Sequence, residues 1–230
     1  MKQNKVAASR TIRSFVIREG RFTGAQKRAF QTCWQDFGID VDTSTEWNLS
    51  HYFPLSQPVI LDIGFGNGDS LVSLAKHHED LNFIGVEVYR PGIGAALLKI
   101  KQQGLSNVRI IHSDILSIIP YIRDNSMTGV IVWFPDPWPK KRHHKRRLVQ
   151  KNFLHHACRV IKSGGILHIA SDWQPYVEYI QEQANLISQI SLISNGQHPL
   201  RLVRPHTRFE QRGLRQGHKV TDMVYQIKKI

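Results

Sequence analysis

The chain has 230 residues, 41% hydrophobic and 21% charged, which is enough apolar material for a substantial core and suits one α/β domain with extensions. With 31 Lys and Arg against 18 Asp and Glu, it carries a formal charge of +13 and a pI near 10.0, a balance that favours a polyanionic partner such as RNA, DNA or an anionic lipid surface. Its longest apolar runs are far too short to span a bilayer, no signal-peptide core opens it, and Cys33 and Cys158 lie too far apart for a disulfide framework or zinc knuckle; a soluble, cytoplasmic protein with buried thiols is expected.

Residues 1–30 hold eight Lys and Arg against the single acid Glu19, with little apolar periodicity before Phe30, and read as a mobile basic arm. Residues 31–57 read as helix and linker. The helix starts at Thr23 as N-cap and carries Ala29, Phe30, Cys33, Trp34 and Phe37 at helical spacing; the polar linker covers 40–57. The main domain runs over 58–230.

From Pro58 the pattern becomes strand, glycine turn, helix, repeated. VILDIG is followed by Leu71, Leu74 and Ala75, and NFIGVEV by Ile93, Leu97 and Ile100 behind Pro91. NVRIIHSD and TGVIVWF are strands. A helix with Leu154, Ala157, Cys158 and Ile161 inward then closes on Ser163, Gly164 and Gly165. GILHIASD is another strand, Val177, Ile180, Ala184 and Ile187 mark a further helix, and last strands are expected near 191–193 and 220–227. Such alternation predicts a mostly parallel, twisted sheet with helices on both faces and a ligand crevice beyond the carboxyl ends of its strands.

The VILDI strand ends in Gly64-Phe65-Gly66-Asn67-Gly68, a turn that lets a ligand approach the backbone and a helix N-terminus. Asp69 stands where a dinucleotide fingerprint would have its third glycine, which argues against NAD. Glu87, 19 residues beyond Gly68, closes the next strand where a carboxylate can take ribose hydroxyls, and Asp114 closes the one after, where an acceptor could meet an adenine amino group. With Asp62, these acids suit S-adenosylmethionine, whose sulfonium and ammonium are positive; the alternative is tight turns and N-capping carboxylates.

The stretch FPDPWPKKRHHKRR, residues 134–147, joins an apolar turn with one carboxylate to six Lys/Arg and two His. Two prolines stiffen Asp136 and Trp138 offers a stacking face, which suits a flipped base. The cations that follow suit phosphates, although a charge run is also what a solvated helix face looks like. His143-His144 and His155-His156 lack a Cys or carboxylate to complete a metal site, so no metal is expected.

The segments LDIGFGNGDSLVSLA, FIGVEVYRPGIGAALLKI, FPDPWPKKRHHKRRL and TRFEQRGLRQGH resemble the successive motifs of the bacterial tRNA (guanine-N7-)-methyltransferase family, and SFVIREGRFTGAQ resembles its N-terminal segment. The resemblance implies a Rossmann-like class I methyltransferase fold and methyl transfer from S-adenosylmethionine, leaving S-adenosylhomocysteine, to N7 of a guanine in the tRNA variable loop. It implies that Asp62, Glu87, Asp114 and Asp136 line the donor site with Gly64, Gly66 and Gly68. Lys140, Asp172, Thr207, Arg208, Phe209 and Glu210 would contact substrate, and Arg142, His143, His144, Lys145, Arg146 and Arg147 the RNA. Asp62 stands where many members carry Glu, and one methylene less can call for a bridging water. Asp136 is the expected catalytic residue, tRNA the expected partner, and a monomer or weak homo-oligomer the expected state. On the residues alone, Asp172 is equally a helix N-cap, and Thr207 and Glu210 equally turn formers. A methyltransferase for another base or for a small cationic-site substrate and a silent RNA-binding protein on the same fold are the rival readings, with a dehydrogenase, weakened by Asp69, third.

Overall fold

In the computed structural model, which describes residues 13–16, 20–193, 204–205 and 219–229, the apolar runs become strands of one sheet. In chain order the elements are α1 (Gly24–Thr32), α2 (Trp34–Phe37), β1 (Gly38–Ile39), β2 (Val59–Ile63), α3 (Asp69–His77), β3 (Asn82–Glu87), α4 (Arg90–Gln102), β4 (Val108–His112), α5 (Ile115–Ile118), β5 (Met127–Trp133), α6 (Lys151–Val160), β6 (Ile161–Ser171), α7 (Gln174–Asn185), β7 (Ile190–Leu192) and β8 (Thr221–Ile227). The strand order is β1-β4-β3-β2-β5-β6-β8-β7; pairings are parallel from β1 to β6, and β8 runs antiparallel to both β6 and β7.

Every residue of β2, β3 and β5 is buried, as strands covered on both faces require. One apolar cluster joins the sheet to α1, α3 and α4 through Ala29, Leu71, Ile93 and Leu97. The other joins it to α5, α6 and α7 through Ile118, Phe153, Leu154 and Ile180. Thr23 caps α1 in a reciprocal box: its Oγ1 accepts from Gln26 N at 3.3 Å while Gln26 Oε1 accepts from Thr23 N at 2.9 Å.

Two segments differ from the sequence reading. Ser163, Gly164 and Gly165 do not close a helix; α6 ends at Val160 and β6 begins at once, with a register shift against β5 between Met127 and Gly129. Gly164 supplies a left-handed φ of 79° to this bulge, and a Cβ on Gly165 would lie 2.6 Å from Thr128 O. Residues 40–57, read as a polar linker, bury Trp47, Leu49 and Phe53 in the α5–α7 cluster. A 3₁₀ helix, Leu49–Tyr52, capped by Asn48, makes that return possible.

The chain leaves β2 toward β3 on one side and later fills the other side with β5. The carboxyl ends of β2 and β5 therefore flank the point where strand order reverses, the usual ligand crevice of an open α/β sheet.

Candidate active site

On one wall of this crevice stands the glycine turn after β2. Gly64 and Gly66 have φ of 77° and 61°, and a Cβ on either would meet nothing within 4 Å, so conformation and an open face toward the crevice, not crowding, select glycine there. Gly68 (φ 76°) differs, because its Cβ would lie 2.5 Å from that of Ala96 on α4. Glu87, at the end of β3 and 9% exposed, holds the turn: its carboxylate accepts from Gly66 N at 2.9 Å, Val88 N at 2.7 Å and Tyr89 N at 3.0 Å. That occupies three of roughly four acceptor directions of a carboxylate. Burial pushes its pKa up, the three N–H groups pull it down, and the charge of Asp136 raises it again.

Asp62, on β2 and 3% exposed, lies behind Glu87. Burial first, and the Glu87 charge second, push its carboxyl up to about 7. Among the described residues its buried Oδ2 has no hydrogen-bond partner, and neither has the indole Nε1 of Trp133 at the end of β5. Both residues line one cavity of about 230 Å³ with Gly66, Asn67 and Ser70. A second cavity, about 200 Å³, shares Gly64, Glu87, Trp133 and Phe134 with it and continues past Val88, Asp114, Ile115 and Leu148 to Asp136. Asp114 also caps α5, accepting from Leu116 N at 3.0 Å; burial raises its pKa, while that hydrogen bond and Arg13 lower it. An unpaired acceptor and an unpaired donor in one cavity, leading to an apolar slot with carboxylates at its edge, suit an amino-acid zwitterion joined to a nucleoside, the outline of S-adenosylmethionine.

The opposite wall is the turn after β5. Phe134 and Trp138 both have left-handed φ, 55° and 46°, uncommon for aromatic residues, and between them Pro135 and Asp136 line the crevice. Side chains grip this turn at both ends. Arg204 Cζ lies 5.2 Å from the Phe134 ring centroid and its guanidinium binds Asp222 through Nε (2.8 Å) and Nη2 (3.0 Å). Asp222 also meets His168 Nε2 at 2.9 Å; against the upward push of burial, the hydrogen bonds from His168 and Arg204 and the Arg204 charge hold its carboxyl well below the usual range. At the other end, Arg147 Nε donates to Pro137 O at 3.0 Å, and Trp138 Nε1 donates to Ser14 O at 3.0 Å. Ser14 and Phe15 thereby reach the crevice wall; only the resemblance of SFVIREGRFTGAQ to a family segment signalled this part of the basic arm.

Beyond the turn, Lys140 precedes a 3₁₀ helix, Lys141–Arg146. Lys140, Arg142 and Lys145 are exposed and His143, His144 and Arg146 partly so. Arg146 lies 4.7 Å over the Trp138 ring, which His143 meets edge-on at 5.8 Å. Arg147, grouped with this RNA-facing run on sequence, turns inward. It is 2% exposed and sits 4.8 Å from both the Tyr176 and Tyr179 rings of α7, so its charge serves the turn. Asp172 follows β6 beside the turn and is partly exposed; the N-cap of α7 is Trp173, not Asp172. Thr207, Arg208, Phe209 and Glu210 lie outside the described residues. Among the described residues no group of three or more His, Cys, Asp or Glu is arranged for a metal, and no helix is long and apolar enough to cross a membrane.

A family model described as "Putative methyltransferase" matches residues 56–223. A tRNA (guanine-N(7)-)-methyltransferase of Nitrosococcus oceani is 46% identical over 217 residues, covering 94% of this chain and 91% of that protein. Another, of Pseudoalteromonas translucida, is 44% identical over 220 residues with 94% and 91% covered. Among solved structures, an rRNA methylase of Streptococcus thermophilus aligns with a TM-score of 0.51 at 13% identity, covering 79% of this chain and 93% of that one. A SAM-dependent O-methyltransferase of Thermotoga maritima aligns with a TM-score of 0.51 at 15% identity, covering 79% and 64%. At such identities the structural likeness speaks for the fold alone, a class I methyltransferase sheet. With nearly half of its residues shared along almost the whole length of such an enzyme, the chain belongs to the tRNA (guanine-N(7)-)-methyltransferase family.

Proposed function

We propose that the chain transfers a methyl group from S-adenosylmethionine to N7 of a guanine in the tRNA variable loop, leaving S-adenosylhomocysteine. The observation that carries this reading is the position of Asp136. It stands on a turn gripped at both ends, between cavities suited to the donor and a basic 3₁₀ helix suited to RNA phosphates.

When bound, the donor supplies an electrophilic methyl on a sulfonium sulfur. Asp62 Oδ2 would take its ammonium and Trp133 Nε1 its carboxylate, Glu87 a ribose hydroxyl with its remaining acceptor direction, and Val88, Ile115 and Leu148 the purine faces, with Asp114 toward the amino group. Guanine N7 has an in-plane lone pair and no hydrogen, so no side chain need remove a proton before attack, and the protein's work is alignment. The purine becomes cationic as the bond forms. A fixed carboxylate at its rim attracts that charge more strongly in the transition state than before, and this is the role of Asp136.

Asp172 and Glu210 accept the guanine amino and imino hydrogens, and Lys140, Thr207, Arg208 and Phe209 complete the substrate contacts. Arg142, Lys145 and Arg146, with His143 and His144, hold phosphates. The test is methyl transfer from labelled donor to unmodified tRNA transcripts, mapped by strand cleavage selective for N7-methylguanine. A single variable-loop site, lost when that guanine is replaced, is the expected result; donor binding with label on another base would overturn it.

A further inference from the structure

A third cavity, about 790 Å³, opens beyond Asp114 on the side of the crevice away from the basic 3₁₀ helix and shares Phe15, Val88, Ser113 and Asp114 with the second. Its mouth forms where α1 packs on α4. Arg90, the first residue of α4, has its Cζ 5.9 Å from the Phe22 centroid and 5.2 Å from that of Phe30, and Lys27 Nζ lies 5.9 Å from the same Phe22 ring. Phe30 is fixed in turn by stacking on Trp34 at 5.1 Å and by an edge contact with His112. Arg13 lines the same cavity.

Lys27, Arg90 and Arg13 are all exposed, and neither Lys27 nor Arg90 is ion-paired among the described residues. Among the described residues of the lining Asp114 is the one carboxylate; it spends an oxygen on capping α5 and feels the charge of Arg13. Cations drawn onto one ring repel each other, and with so little carboxylate beside them the charge is left for an anion from outside. The crevice is thus basic on both flanks, as it must be to grip a strand on either side of an extruded nucleotide.

We propose that this cavity is a groove for the sugar–phosphate backbone flanking the methylated nucleotide, with Lys27 and Arg90 as its principal phosphate partners and Arg13 as a third. The proposal rests on the tRNA reading above. A free nucleotide presents the same phosphate chemistry, so the experiment separates the two.

Full-length Lys27→Ala/Arg90→Ala is compared with Lys76→Ala/Lys101→Ala, which removes the same charge from exposed sites in the last turns of α3 and α4. The groove variant should raise the tRNA KM about tenfold or more and flatten the salt slope of tRNA binding by about 1.5 to 2, two lost phosphate contacts, with donor affinity within about twofold of wild type. Lys27→Arg/Arg90→Lys, which keeps both charges but not the packing, should restore the slope. Indistinguishable KM and slope in the groove and control variants would overturn the groove, as would adenosine monophosphate binding that the groove variant loses while its tRNA slope stays intact. Wild type that binds tRNA without methylating it, with the slope still lost in the groove variant, would sink the proposed reaction and leave the groove standing.

Discussion

Between Phe134 and Trp138 the backbone adopts two conformations that L-residues avoid, each costing on the order of 1–3 kcal/mol, and the contacts of Arg204, Arg147 and Ser14 offset that cost. The turn therefore presents Asp136 rigidly. Asp136→Asn keeps shape and hydrogen-bonding capacity but removes the charge, and should lower single-turnover methyl transfer at saturating donor on the order of a hundredfold with an unchanged melting temperature; wild-type turnover would remove Asp136 from the mechanism. Arg147→Ala should cut the same rate about tenfold while leaving the salt slope of tRNA binding within about half a unit, since this guanidinium meets Pro137 and two tyrosines instead of phosphate. Arg147→Lys keeps the charge without the planar stack and should be impaired as well; full activity in it would refute a role for that geometry. The stiff setting of Asp136 was legible because a carboxylate between two prolines is restrained wherever it sits. Arg147 was not, because nothing in a run of cations says which one faces in; the nearest signal was the Tyr176 and Tyr179 pair, three apart on one helix face.

Among the elements, strands and helices of 58–193 follow the periodicity closely, since burial on both faces of a parallel sheet leaves continuous apolar runs that tolerate few other readings. The SerGlyGly stretch was misread for a physical reason: glycine at positive φ serves a helix end and a strand bulge equally, and only the partner strand decides. Gly68 makes two demands at once, a left-handed φ and contact with Ala96. Gly68→Ala should cost about 2 kcal/mol or more and lower the melting temperature by about 4–8 °C, checked by calorimetry. An unaffected melting point would mean that α3 and α4 can separate at no cost.

For the whole molecule, a charge of +13 announced a polyanion but not its path. The path depends on which cations the fold gathers: Arg142 and Lys145 stay exposed beside the turn while Arg147 is enclosed. Arg142→Ala/Lys145→Ala should weaken tRNA binding and lower its salt slope by about 1.5 to 2, measured by titration at several salt concentrations; an unchanged slope would put the RNA elsewhere. Residues 40–57 and 14–15 were hidden from a composition argument because a few apolar side chains in a polar or basic stretch set no period, yet Trp47, Leu49 and Phe53 are core.

Asp62 would make the proposed donor site an exchanger of protons. An acid whose acidity is weakened in the folded chain, to about 7, binds more protons there than in the unfolded chain between about pH 4 and 7, so it takes stability away as pH rises through that window. An ammonium arriving beside it favours the ionised form, and binding near pH 6 should expel close to one proton per donor. Calorimetric heats of donor binding should then vary with the ionisation enthalpy of the buffer at pH 6 and lose that variation by pH 8.5, with affinity rising up to about pH 7 and levelling off. Asp62→Asn should abolish both trends; buffer-independent heats in the wild type would mean that the ammonium is received elsewhere.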